Sequence, residues 1–190
     1  MQQEAMPPCV DLPVPYLRQL DNVNSPYGTC NVTSVAMTLR FFGLKGNGQG
    51  QLEDQLFTRI QNLGLDRHSP QDLAYLINLD YGKQGIRDEF KQNATHAELK
   101  THLAKGFPAI VHGFFTSSGH IVVIRGYDDK AYGGRGAYIV NDPYGEYFPK
   151  GYDTNVSGER QYYSYRMMKD LAGADGDFWV HFISKEPVKK

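Results

Sequence analysis

The feature that most constrains the fold is a change in hydrophobic period near Gly106. Before Gly106, apolar residues recur every three or four positions, which is typical of amphipathic helices. After it, β-branched and aromatic residues form short runs between turn residues, which is typical of strands. This order predicts one α+β domain, in which N-terminal helices pack on a C-terminal antiparallel β-sheet. The predicted helices span residues 30–42, 51–63, 69–81 and 95–105, and the predicted strands span residues 108–115, 119–127, 136–142 and 177–184.

The length of 190 residues fits a single domain with a full core. We expect residues 1–12 to form a flexible N-terminal arm, residues 13–184 to form the domain, and residues 185–190 to be a polar tail. Residues 143–165 are tyrosine-rich and irregular, and residues 162–165 are a candidate strand.

Composition argues against two classes of partner. The formal net charge is −1, which does not favour nucleic acid or an anionic membrane. The chain has no run of eighteen apolar residues, so no membrane span is predicted. The first ten residues lack the basic and apolar regions of a signal peptide, although a mature secreted chain has the same appearance. We therefore expect a soluble protein, and the sequence leaves its compartment and oligomeric state open.

The candidate nucleophile is Cys30, which opens the first predicted helix. Unpaired N–H groups and the helix dipole favour a thiolate at that position, and the thiolate is the reactive form of cysteine. A small buried residue on a core helix is the competing interpretation. The other cysteine, Cys9, lies in the predicted arm, and we expect both thiols to be free, since a disulfide would silence Cys30.

The candidate base and orienting group are His120 and Asp142. His120 begins one predicted strand after a turn, and Asp142 ends the next strand. If the two strands form an antiparallel hairpin, the start of the first lies opposite the end of the second, on a shared face. A carboxylate beside a histidine favours imidazolium, which in turn favours thiolate. Asn141 points to the other face and is the weaker candidate, and His112 fits a satisfied core histidine.

The tetrahedral intermediate of such a reaction needs hydrogen-bond donors for its oxyanion. The backbone N–H of Cys30 supplies one donor at the helix start. The side-chain amide of Gln19, which follows an extended segment upstream, is the candidate for the second. An ordinary surface glutamine is the alternative interpretation of Gln19.

Four segments carry a family resemblance: Val14-Pro15-Tyr16 with Gln19 and Asp21-Asn22, Gly28 to Met37, Ser118 to Asp128, and Asn141-Asp142-Pro143-Tyr144-Gly145. In this order they resemble the C39-like cysteine peptidases, a papain-fold group related to bacteriocin-processing peptidase domains. The resemblance covers residues 13–146. It implies a papain-like fold with Cys30 as nucleophile, His120 as base, Asp142 as its orienting group and Gln19 in the oxyanion hole. Many relatives have Cys-Gly-Pro or Cys-Gly-Ala where this chain has Cys-Asn-Val, so Asn31 leaves less room beside the nucleophile.

The sequence therefore predicts a cysteine hydrolase that cleaves a peptide or amide bond without a metal or organic cofactor. A peptide, a protein or peptidoglycan is the expected substrate. Three alternatives stay open: a cell-wall amidase or endopeptidase, a deamidase or transglutaminase-type effector acting on glutamine or asparagine side chains, and a non-catalytic binding module on the same scaffold. The intact set of Cys30, His120 and Asp142 argues against the last of these.

Overall fold

The structure is a computed structural model that describes residues 6–187. Its helices follow the predicted segments closely, and each begins or ends where the local chemistry requires. Ser69 caps the third helix with its side chain, and Thr95 and Glu98 form a capping box at the fourth. A fifth helix, which the sequence analysis missed, follows the tyrosine-rich segment. The α-helices of eight residues or more are α1 (Cys30–Phe41), α2 (Leu52–Asn62), α3 (Pro70–Tyr81), α4 (His96–Ala104) and α5 (Tyr165–Ala172).

The strands form a seven-stranded antiparallel sheet and a separate small hairpin. The order along the main sheet is β2-β9-β3-β4-β5-β8, and β1 pairs with the second half of β4. The last strand, β9, therefore lies between β2 and β3. The strands are β1 (Cys9–Asp11), β2 (Ile86–Lys91), β3 (Ala109–Gly113), β4 (His120–Asp128), β5 (Ala137–Asn141), β6 (Glu146–Phe148), β7 (Gly151–Asp153), β8 (Gln161–Ser164) and β9 (Val180–Lys185).

The sheet separates two hydrophobic cores. On one face, α1, α2 and α3 pack against residues such as Ile110, Ile121 and Val123. On the other face, α4 and α5 cover Val122, Ile124 and their neighbours. Because successive residues of a strand point to opposite faces, β4 contributes alternately to both cores. The predicted α+β class, with helices packed on an antiparallel sheet, is confirmed.

The prediction of a flexible arm over residues 1–12 is wrong at its C-terminal end. Residues 9–11 form β1, which pairs with residues 126–128 of β4, and the Asp11 carboxylate binds Arg125 and Arg160 at 2.8 and 2.7 Å. Gly126 permits this pairing, since a Cβ there would lie 1.9 Å from the carbonyl oxygen of Val10. Residues 1–5 of the expected arm lie outside the described residues.

The tail prediction also changes, because Lys185 is the last residue of β9 rather than the first of a frayed end. Residues 188–190 of the expected tail lie outside the described part of the chain. The sequence analysis also missed β2, so the chain is not strictly helices followed by strands.

Candidate active site

Cys30 is the first residue of α1, as expected, and the loop before it is fixed by buried hydrogen bonds. The side-chain Nδ2 of Asn22 donates to the hydroxyl oxygens of Thr29 and Thr33, at 2.8 and 2.9 Å. One turn further along, Ser34 donates to the backbone carbonyl of Ile121, which ties α1 to β4. The sulfur is therefore held at the helix start, beside the first residues of β4.

His120 and Asp142 form a close, buried pair. Nε2 of His120 lies 2.7 Å from Oδ1 of Asp142. In the ladder between β4 and β5, Val123 faces Asn141, so Asp142 continues β5 and His120 reaches it diagonally. Their alternate neighbours on the two strands lie in one core, as the hairpin prediction required.

The Asp142 carboxylate accepts three further hydrogen bonds besides that of His120. The hydroxyls of Tyr152 and Tyr163 each donate to Oδ2 at 2.8 Å, and the backbone N–H of Tyr144 donates to Oδ1 at 3.0 Å. Burial, and next the Asp142 charge, raise the pKa of both tyrosines, so their hydroxyls stay protonated donors. A fully buried carboxylate with four donors is fixed in orientation, and so is the imidazole bound to it.

The backbone of Asp142 is held as tightly as its side chain. Its N–H donates to the carbonyl of Gly158 at 2.8 Å, and the N–H of Gly158 donates to the hydroxyl of Tyr16 at 3.1 Å. A Cβ on Gly158 would lie 1.9 Å from the Asp142 carbonyl oxygen and 2.7 Å from that of Gly145. Only glycine allows the chain to pass this close behind the carboxylate.

Asp142 thus depends on residues after position 146, to which the sequence analysis assigned no role. Tyr152, Gly158 and Tyr163 come from the small hairpin, a loop and β8. One sequence feature could have indicated this role, namely the many tyrosines of residues 143–165, because a buried tyrosine hydroxyl needs a polar partner. Nothing in the spacing of these tyrosines pointed to Asp142 as that partner.

The electrostatics of Cys30 and His120 are coupled. Burial raises the pKa of Cys30, but the charge and hydrogen bond of His120, together with the backbone N–H of Ile121, outweigh burial and lower it. Burial lowers the pKa of His120, but Asp142 and then the Cys30 sulfur reverse this and raise it. Since Nε2 of His120 is bound to Asp142, Nδ1 is the nitrogen left for the sulfur. The arrangement favours a thiolate–imidazolium pair.

Gln19 is buried at 2% exposure, so the surface-glutamine alternative is wrong. Its backbone N–H donates to the carbonyl of Pro143, next to Asp142, and its side-chain Nε2 donates to the carbonyl of Pro26 at 2.9 Å. A primary amide carries two N–H donors, so the second remains available. The side-chain oxygen of Gln19 is buried without a hydrogen-bond partner.

Asn141 points to the opposite face from Asp142, as predicted. Its Oδ1 accepts from the backbone N–H of Arg160 and its Nδ2 donates to the carbonyl of Val14. These bonds join the N-terminal segment to the chain after β7 and leave Asn141 without contact to the His120 imidazole. Asn141 is therefore a structural residue of this sheet.

A cleft of about 280 Å³ opens beside Cys30 and His120. The tyrosines of residues 144–165 do not line this cleft, because they pack around the His120–Asp142 pair instead. The walls come from residues around β3 and before β9, namely His112, Phe114, Ala172, Asp175 and Trp179. His112 therefore lies at the cleft rather than in the core alone.

Within residues 6–187, no group of three or more histidine, cysteine or carboxylate side chains is arranged to hold a metal ion. In the same part of the chain, no helix combines the length and the apolar character needed to cross a membrane. Both cysteines are free thiols; Cys9 is exposed and Cys30 is partly buried.

The fold is that of C39-like, papain-like peptidases, an α+β class with helices packed on an antiparallel sheet. The chain belongs to the Peptidase_C39 like family, whose sequence profile matches residues 11–172. A candidate C39-like peptidase from Bacillus anthracis superposes with a TM-score of 0.57 at 14% identity, over 94% of this chain and 99% of that one. UfSP from C. elegans superposes with a TM-score of 0.55 at 13% identity, over 100% of this chain and 36% of that one. No curated protein sequence matches the chain. Family and fold are therefore those of cysteine peptidases.

Proposed function

We propose that this protein is a cysteine peptidase that cleaves a peptide bond through a Cys30–His120–Asp142 triad. The observation that carries the proposal is the assembly of these residues from three distant segments, with His120 lowering the pKa of Cys30 and bonded to Asp142 at 2.7 Å. A merely buried cysteine needs neither the histidine nor its carboxylate. Membership of a peptidase family supports the same reaction class.

In the proposed reaction, the Cys30 thiolate attacks the carbonyl carbon of the scissile bond. The imidazolium of His120 gives its proton to the departing amine nitrogen, which leaves an acyl-thioester on Cys30. Neutral His120 then takes a proton from water, whose oxygen attacks the thioester and releases the acid product. The proton taken from water stays on His120, and the departing sulfur leaves as a thiolate, so the thiolate–imidazolium pair is restored. Asp142 holds the ring and stabilises its positive charge throughout.

Two donors would stabilise the tetrahedral oxyanion. The backbone N–H of Cys30 lies at a helix start, where it has no intrahelical acceptor. The side chain of Gln19 has one N–H beyond the one bound to Pro26. The buried position of Gln19, its backbone bond to Pro143 and its bond to the loop before Cys30 support this role.

Gln19→Ala is expected to raise the activation barrier by about 2.7–4 kcal/mol, the cost of losing one oxyanion donor. The loss should fall on kcat, because the donor acts on charge that develops in the transition state. Steady-state kinetics on a cleaved peptide measure it. Gln61→Ala, at an exposed glutamine of α2, is the matched control and should leave kcat unchanged. A loss confined to KM would contradict the oxyanion role.

Iodoacetamide at pH 6 is expected to label Cys30 well before Cys9, although Cys9 is the more exposed thiol. The pKa of Cys30 is lowered, whereas burial and then the Asp128 charge raise that of Cys9. At this pH, about 2.5 units below an ordinary thiol pKa, only a thiol with a lowered pKa reacts appreciably. Peptide mapping by mass spectrometry gives the two rates. Equal labelling, or labelling of Cys9 first, would remove the basis for a thiolate nucleophile.

The function itself is tested by incubating the protein with folded proteins, unfolded polypeptides and peptidoglycan, and measuring product masses. Cleavage of polypeptide chains supports the proposal, and protein blocked with iodoacetamide is the blank. Release of wall peptides alone would replace it with a cell-wall hydrolase. A mass change on glutamine or asparagine side chains without cleavage would replace it with a deamidase, and no product from any substrate would favour a binding module.

A further inference from the structure

Two tyrosine hydroxyls bind the oxygen of Asp142 that His120 does not use. The hydroxyls of Tyr152 and Tyr163 both donate to Oδ2, each at 2.8 Å, whereas Nε2 of His120 lies 2.7 Å from Oδ1. Asp142 has no exposed surface. In the described part of the chain, no lysine or arginine forms a hydrogen bond or an ion pair with this carboxylate. Besides His120, the side chains that stabilise its charge there are these two phenols.

Ring packing also fixes the two hydroxyls. The ring of Tyr152 contacts those of Tyr144 and Tyr147, with centroids 5.0 and 5.3 Å apart. The ring of Tyr163 packs against Phe115, with centroids 5.8 Å apart. A change of either tyrosine to phenylalanine therefore keeps the packed ring and removes only the hydroxyl donor.

The hydroxyls weaken the hold of the His120–Asp142 pair on its proton. Each hydrogen bond to a carboxylate favours the charged form and so lowers the affinity of that carboxylate for a proton. Because His120 and Asp142 are joined by a hydrogen bond, they titrate as a pair. Loss of a hydroxyl donor should make the pair hold its proton more tightly, whether the proton lies on Nε2 of His120 or on Oδ1 of Asp142. The direction of the effect is therefore the same for either location of the proton.

The strength of this hold matters for the proposed reaction. A general acid works best when its pKa lies near the working pH. Burial lowers the pKa of His120, but Asp142 and then the Cys30 sulfur reverse this and raise it. A carboxylate without the two hydroxyl donors would raise it further, and the imidazolium would give its proton less readily to the leaving amine.

Other titratable groups surround the His120–Asp142 pair, and they come from several elements. They are Cys30 of α1, Tyr16 of the N-terminal segment, Tyr144, Tyr147 of β6, and the residues His68, His112 and Asp175 of the cleft lining. Removal of a hydroxyl from Tyr152 or Tyr163 leaves all of these groups in place. A change in the titration of His120 can therefore be assigned to the hydroxyl that was removed.

Tyr152 and Tyr163 lie on β7 and β8, and their hydroxyls reach His120 only through Asp142. We propose that the two tyrosines are positioning residues that moderate the charge of Asp142, so that the proton on His120 can pass to the leaving amine. This role rests on the proposed function, because His120 is the acid and the base of that reaction. Besides fixing the imidazole, the tyrosines control how strongly it holds its proton.

The test follows the imidazole of His120 by NMR, in protein that contains isotope-labelled histidine and carries Cys30→Ala. Removal of the sulfur leaves Asp142 as the charged partner bonded to the ring. Tyr152→Phe and Tyr163→Phe should each raise the midpoint of the His120 titration by about half a unit to one unit, a three- to tenfold gain in proton affinity.

Tyr162→Phe is the matched control. Tyr162 precedes Tyr163 on β8, so its side chain points to the opposite face of the sheet, and its hydroxyl does not bind Asp142. This substitution should leave the midpoint of the His120 titration unchanged.

Turnover supplies a second measurement, in protein that retains Cys30. Tyr152→Phe and Tyr163→Phe should each lower kcat at pH 7 by about tenfold. KM should stay the same, since neither tyrosine lines the cleft. The alkaline limb of kcat/KM should move to higher pH, because it reports the loss of the imidazolium proton in the free enzyme. A purely structural role would lower stability in urea without moving this limb.

An unchanged or lowered midpoint in both phenylalanine variants would overturn the role of the tyrosines, as would a loss of activity confined to KM. Either result leaves the proposed peptidase intact, because the native protein still cleaves its substrate. The NMR titration does not depend on turnover. A raised midpoint in a protein that cleaves no substrate would therefore overturn the proposed peptidase, while the effect of the hydroxyls on His120 would stand.

Discussion

Cys30→Ala is expected to abolish turnover, and His120→Ala to lower kcat by a comparable factor, on the order of 10⁶-fold. The two losses should be similar because the thiolate exists only while the His120 imidazolium stabilises it, and triad members act as a unit. His120→Ala also removes the partner of a buried carboxylate, so thermal unfolding is measured beside peptide hydrolysis.

Cys9→Ala and His96→Ala are the matched controls, since both residues lie outside the triad. Each should retain turnover within a few-fold of the native protein. The iodoacetamide rate at pH 6 measures the thiolate form of Cys30 independently of turnover. His120→Ala should lose the rapid reaction at Cys30, while His96→Ala should keep it. Loss of activity on replacing His112, together with retained activity in His120→Ala, would show that the base has been assigned wrongly.

Gly158→Ala is expected to lower both stability and activity strongly. A Cβ at this position would meet two backbone carbonyl oxygens, at 1.9 and 2.7 Å, and backbone atoms cannot give way as a side chain can. Relief of the clash must move Asp142, because the Gly158 carbonyl also accepts from the Asp142 N–H. We expect destabilisation of about 3 kcal/mol, at the upper end for overpacking, measured by urea unfolding. Peptide hydrolysis should fall with it, since His120 loses its fixed partner.

Gly82→Ala is the control for this substitution. A Cβ on Gly82 would meet only the mobile end of the Arg87 side chain, at 2.8 Å, and the backbone there is helical. Its stability should stay within about 1 kcal/mol of the native protein, the scale of an ordinary glycine-to-alanine change. If Gly158→Ala is as stable and active as Gly82→Ala, the close approach behind Asp142 does not matter to the site.

Local patterns predicted the parts of the fold that local chemistry determines. The start of α1 at Cys30, the cap at Ser69 and the capping box at Thr95 depend on residues within one helical turn. The pairing of His120 with Asp142 could be predicted for a related reason, because the two strands are consecutive in the chain and pair with each other. The assignment of roles within the proposed triad stays a prediction.

Non-local pairings left no such pattern. β2 was missed because its inward side includes Asp88, a charged residue that interrupts the alternation of polar and apolar side chains. The side chain of Asp88 points into the protein because it binds His181, which lies 93 positions later in the chain. β1 was missed for the same reason, since its three residues are held by β4 and by Arg125 and Arg160. Such strands are specified by partners that a single stretch of sequence does not contain.

The place of β9 in the sheet has a consequence for how this protein is made. β9 lies between β2 and β3 and pairs with both of them. The main sheet therefore cannot be completed until residues 180–185 have left the ribosome. The tyrosines that bind Asp142 lie at positions 152 and 163, more than 100 residues after Cys30. Under the proposed function, the surroundings that would activate Cys30 are therefore incomplete until these later segments have emerged and folded.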